Sequence, residues 1–197
     1  MTEKTTNFNT TETPGLGIVA ARSLIEMSGE DVNREGLTRT PERFEKAFHK
    51  LFSGYHETAE QVVGAGVFRS ESNSPIAINS VDFYSLCEHH ILPFWGTVDV
   101  VYIPSHKILG LSKIPRIIDM YSRRMQVQER LTQNIADAIK DVIKPKFVAV
   151  RIKAGHMCMK MRGVEKQHSF ATSEVQIGSE NISPLELSRS LDLLNSN

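Results

Sequence analysis

The chain has 197 residues, 40% of them hydrophobic and 23% charged, which is enough for a globular domain with a buried core. Its 23 Lys and Arg balance 23 Asp and Glu, so there is no global basic field to hold nucleic acid, and a nucleic-acid partner is not expected. No run approaches the roughly 18 apolar residues of a membrane span, and the polar opening residues contain no secretory core, so no membrane partner is expected either.

Residues 1–13 read as a disordered arm. Leu16, Val19, Ala20, Leu24 and Met27 recur at helical spacing and predict a helix over about 14–28, with Gly29 as its stop. Thr40-Pro41-Glu42 pairs an N-cap with Pro at the first helical position, opening a second helix that runs to Gly54. A short helix over about 57–63 completes an N-terminal helical region, 14–66, and Arg69 to Pro75 reads as a loop. A second region, 67–197, holds β-rich runs at 76–86 and 94–103, a short run at 107–111, and helices at about 113–121 and 128–143. Strands over about 147–159 and 169–178 follow, then a C-terminal helix from Ser183-Pro184. Val148, Val150, Ile152, Ala154, His156 and Cys158 alternate and so share one strand face. The order β-β-α-α-β-β after a helical lead predicts an α+β fold built on an antiparallel sheet.

The two cysteines, Cys87 and Cys158, are too few for a disulfide framework and predict a reduced, cytoplasmic protein. In Cys87-Glu88-His89-His90, a thiol and an imidazole three residues apart can converge on one ion. With Cys158 they make a set of two thiolates and one imidazole, which leaves a fourth zinc position open for water, as in catalytic zinc sites. Glu88 in place of Cys158 fits the spacing as well. His89 and His156 are left free beside the ligands, where an imidazole can move protons near neutral pH. Against this stands the commoner fate of a buried cysteine, a small hydrophobe in the core.

Cationic residues form a second group. Lys113 and Arg116 share a face at a helix start with Ser112 as its N-cap, a setting that suits phosphate oxygens. Arg162 follows Cys158 by four residues. Gln128 and Glu129 offer an amide and a carboxylate at the next helix start. A solvated helix face is the plainer reading of all these charges.

Residues 83–93 (FYSLCEHHILP), 110–116 (GLSKIPR), 121–131 (YSRRMQVQERL) and 156–164 (HMCMKMRGV) resemble GTP cyclohydrolase I in order and spacing, as do Gly36-Leu37 and Thr40-Pro41-Glu42-Arg43. The resemblance covers roughly Leu16 to Gly178. It implies the tunnelling fold, an antiparallel β-sheet backed by two helices, here with an N-terminal helical extension and a C-terminal helix. It implies Zn2+ on Cys87, His90 and Cys158, with His156 and His89 as proton-transfer residues. Lys113, Arg116 and Arg162 would bind the triphosphate of GTP, with Arg43 reaching in from a neighbouring subunit. Glu129, helped by Gln128, would hold the guanine edge, and Ser112 would lie near the ribose. The implied reaction hydrolyses GTP at C8 through a zinc-activated water, giving formate and 7,8-dihydroneopterin triphosphate at the head of pterin and folate biosynthesis. A homodecamer with active sites between subunits is the implied assembly. A catalytically silent nucleotide-binding paralogue is the alternative. Phe170 and Glu174 depart from the family pattern, standing where polar or basic residues are usual.

Overall fold

The computed structural model describes residues 15–196; the arm expected over 1–13 lies outside them. By its internal contacts the chain divides at Lys50/Leu51 into two units.

In the first unit, α1 spans Leu16–Met27 and α2 spans Thr40–Leu51, ending at the division. The apolar stripe expected to shape α1 is exposed, Leu16 at 77% and Met27 at 78%, while Ala21 and Ile25 are the buried residues. Thr40 proves helical rather than a cap, its hydroxyl reaching the Gly36 carbonyl at 3.5 Å. Pro41 therefore falls one residue further in, still within the first turn, where its missing N–H leaves no bond unmade.

In the second unit a 3-10 turn over Ser53–His56 precedes α3 (Ala59–Val63), which is started by a reciprocal cap between Thr58 and Gln61. Then come β1 (Val67–Arg69), β2 (Ile76–Cys87), β3 (Pro93–Ile103), β4 (Lys107–Leu109) and α4 (Lys113–Ser122). They are followed by β5 (Met125–Gln126), α5 (Gln128–Ile143), β6 (Phe147–His156), α6 (Met157–Lys160), β7 (Ala171–Ile177) and α7 (Pro184–Leu194). Five strands form one sheet in the order β5-β2-β3-β6-β7, antiparallel throughout except for the two-residue β5, which runs parallel to β2. β1 and β4 make a separate two-stranded ribbon.

The α+β architecture is the expected one: an antiparallel sheet with consecutive helices α4 and α5 behind it. Leu131, Ile135 and Ile139 of α5 and Ile114, Ile117 and Ile118 of α4 meet Val148, Val150, Ile152 and Ala154 of β6 in one core. The opposite face is covered where α7 lies, through Leu187, Leu191 and Leu194 against Val101, Ile103, Phe147 and Ala149. β6 is thus buried on both faces at its start, which explains its unbroken apolar run. β3 and β6 approach closely at Gly96, where a Cβ would come within 1.9 Å of the Lys153 carbonyl oxygen.

The strand expected over about 147–159 is shorter than its alternation implies. The β6 strand ends at His156, not near Met159, so His156 and Cys158 do not share a strand face. His156 pairs with Phe94, and the next position on β3 is Pro93, which has no N–H to continue the ladder. On the other side β7 begins only opposite Ala154. With no partner on either edge, the chain turns into the single helical turn α6.

Candidate metal centre and substrate site

Three main-chain bonds shape the segment between β2 and β3. Cys87 closes it, its N–H donating to the Leu92 carbonyl at 2.9 Å. The N–H groups of His90 and Ile91 both return to the Cys87 carbonyl, at 3.3 and 2.8 Å, making one helix-like turn. That turn sets Cys87 and His90 on one side, and Ile91 absorbs the reversal with φ of 56°. On its other flank Cys87 is registered against Gln126 of β5.

The turn α6 brings Cys158 to the same place. One ligand atom each from Cys87, His90 and Cys158 lies within 4.8 Å of the others. Cys87 Sγ is 4.0 Å from His90 Nδ1 and 3.8 Å from His89 Nδ1. Two sulfurs and an imidazole nitrogen at this separation can hold a divalent metal ion, and a thiolate-rich set selects for the softer ones. Glu88, the alternative ligand, is engaged elsewhere: its carboxylate pairs with Arg130, which holds it below the usual carboxylate range. Burial pushes the Cys158 thiol up, and nearby Cys87 adds to the shift.

His156 ends β6, two residues before Cys158. Its ring stacks on Phe94, 4.8 Å between centroids and 3° from parallel, and its Nε2 lies 2.9 Å from Gln128 Oε1. Burial lowers its pKa, opposed by the negative charge of Glu129, an exposed residue in the first turn of α5. Arg162 reaches the triad directly, Nη1 lying 3.2 Å from His90 Nε2.

The remaining expected residues have these settings. Ser112 occupies the N-cap position of α4 without a side-chain cap bond, and Lys113 and Arg116 follow in its first turn. Gly66 leaves room for the Lys113 stem: a Cβ there would come within 2.2 Å of Lys113 Cε. Arg43 belongs to the first unit, in α2. Among the described residues no hydrogen bond or ion pair links Ser112, Lys113, Arg116 or Glu129 to the triad.

Phe94, Thr132, Ser173 and Arg130 were missed by sequence reasoning. Only Thr132 carried a signal, standing four residues after Gln128 and so on the same helix face. The two departures from the family pattern find local partners. Phe170 lies under two ammonium groups, Lys160 at 4.3 Å and Lys153 at 5.5 Å, and Glu174 pairs with Arg151 across β6 and β7.

Residues 18–193 match the family model described as GTP cyclohydrolase I. The GTP cyclohydrolase 1 of Hahella chejuensis is 49% identical over 174 residues, 88% of this chain and 93% of that one. That of Methylococcus capsulatus is 51% identical over 155 residues, covering 79% and 84%. That of Deinococcus radiodurans is 50% identical over 157 residues, covering 80% and 73%. Among solved structures, the apo form of the archaeosine synthase QueF-Like matches 55% of this chain and 98% of its own, at 20% identity and a TM-score of 0.45. Likeness near one residue in two, running through both units of the fold, leaves a single assignment: this chain belongs to the GTP cyclohydrolase I family.

Proposed function

We propose that this protein is a zinc-dependent GTP cyclohydrolase I, which hydrolyses GTP at C8 of the guanine to release formate and form 7,8-dihydroneopterin triphosphate. One observation carries the reading: Cys87, His90 and Cys158, from segments some 70 residues apart, converge within 4.8 Å. The donor set fits Zn2+, which supplies, when bound, a water with its pKa lowered to about 7.

The side chains do the rest. His156 and His89 take up and return protons as the guanine five-membered ring opens. Arg162, Lys113 and Arg116 hold the triphosphate, and Arg43 reaches in from a neighbouring subunit. That binding, distant from C8, is used to orient the base. Glu129 accepts hydrogen bonds from the guanine N–H edge, with Gln128 helping to build that end of the site, and Ser112 lies near the ribose. The helical region 14–66 precedes the catalytic domain 67–197, and the active sites fall between subunits of a homodecamer. Two free thiols that must stay reduced to bind metal favour the cytoplasm; no helix among the described residues is long and apolar enough to cross a membrane.

The test is direct. Metal-loaded protein incubated with GTP should yield formate and an oxidisable, fluorescent pterin in equal amounts, and Cys158→Ser should lose both together with its metal. Nucleotide bound but recovered unchanged would favour a silent paralogue. Full turnover by metal-free protein would refute the zinc role.

A further inference from the structure

Gln128 is 3% exposed, and its amide is fully engaged within the protein. Its Nε2 lies 3.1 Å from the Ile152 carbonyl, 3.1 Å from the Ala171 carbonyl and 3.1 Å from Ser173 Oγ. Carbonyls only accept, so nitrogen must face them; the flipped amide would set oxygen against oxygen twice. Ser173 is held in turn by Thr132, whose Oγ1 lies 2.7 Å from Ser173 Oγ and donates to the Gln128 carbonyl at 2.8 Å. Oε1 of Gln128 is thereby aimed at His156 Nε2, 2.9 Å away. An amide oxygen only accepts, so Nε2 carries the hydrogen of the neutral ring and Nδ1 carries the lone pair. Stacking on Phe94 fixes the plane of that ring.

We propose that Gln128 is a positioning residue that locks His156 in the Nε2–H tautomer and so makes Nδ1 its proton acceptor. The catalytic consequence rests on the reading given under Proposed function and sharpens it. The proton released by the attacking water goes to His156 Nδ1, and the same atom returns it to a guanine nitrogen. Nε2–H stays on Gln128 Oε1 throughout, so no net charge is left on the ring after one cycle. Both amide hydrogens are committed to carbonyls, which gives Gln128 work distinct from touching the base.

Two measurements test this. Solid-state NMR of the metal-loaded protein with 15N-labelled histidine, the His156 signals assigned by their loss in His156→Gln, reads the tautomer without any turnover. A protonated Nε2 and an unprotonated Nδ1 are expected; the reverse overturns the proposal. In Gln128→Leu, kcat should fall about a hundredfold, the low end of general acid–base contributions, with KM within about twofold. Thr132→Val, which loosens the same network, should show a smaller fall in kcat, with Thr132→Ser restoring it. A higher KM with kcat unchanged would make Gln128 a substrate contact instead and sink the idea. Should the wild-type protein not turn over GTP, the reaction assignment fails while the NMR result still decides the tautomer.

Discussion

With Cys158 in the proposed metal set, its protonation governs metal uptake. Burial raises its pKa, the neighbouring Cys87 raises it further, and Arg162 pulls the other way without cancelling them. A thiol shifted upward is protonated at neutral pH, and the thiolate is the species that binds metal. A divalent ion must therefore expel at least one proton to bind. Protons compete less as pH rises, so affinity should strengthen by about tenfold per pH unit for each proton released, between pH 6 and 8. Competition with a chelator of known affinity measures it, and calorimetry in buffers of different ionisation heat counts the protons. A flat profile would remove the thiols from the coordination set. At this scale the sequence was informative where partners are local: Cys87 and His90 share one turn, so their spacing already implies convergence. The bond between Gln128 and His156 joins residues 28 apart, and no local pattern reports it.

At the level of whole elements, caps and periodicity were the readable signals. α5 begins and ends where the 3.6-residue stripe Leu131, Ile135, Ala138 and Val142 put it, and α7 starts on the expected Ser183-Pro184. β1 and β5, three and two residues long, were not readable because strands so short carry no alternation of their own and are defined by pairing with β4 and β2. The end of β6 was hidden for a related reason: the alternation continues through Cys158, but the partner that must continue with it is a proline. Glu174 shows how an unexpected residue is accommodated by such pairing. It faces Arg151 in the β6–β7 register, and Arg151 Nε and Nη2 both donate to Oε2, at 2.8 and 2.6 Å. Burial pushes the carboxyl up, but the hydrogen bonds from Gln176 and Arg151 and the charge of Arg151 outweigh it, so the pKa is lowered from 4.5. A carboxylate with a lowered folded-state pKa adds stability above its unfolded value and loses it as pH falls through the folded one. Glu174→Gln should cost about 0.5–1 kcal/mol at pH 7, and the difference should vanish as pH falls below 4.5. Urea unfolding at fixed protein concentration checks both, and an unchanged midpoint at pH 7 would show the pair to be inert.

The single chain leaves surface that a solitary soluble protein seldom shows. The α1 stripe of Leu16, Val19, Leu24 and Met27 is open, as are Met159, Met161 and Val164 around the turn that carries Cys158. Among the described residues, β7 pairs only on its β6 side. A formal net charge of zero adds no repulsion against association. On the proposed homodecamer, sedimentation should find a particle near ten times the 22.1 kDa chain mass, and Leu24→Lys with Met27→Lys should lower it. A mass near 22.1 kDa would exclude the shared active site outright. If Arg43 serves a neighbouring subunit, the sharper experiment mixes two inactive variants, Arg43→Ala and Cys158→Ser, under conditions that exchange subunits. Some sites then draw Cys158 from one parent and Arg43 from the other, and random mixing makes these about a quarter of the total. Recovered formate release near that fraction is the expected result. No recovery, with exchange verified by mass-labelled chains, would mean that each chain supplies its own Arg43, and an Arg43→Ala parent that is active alone would mean that Arg43 does no work at the site.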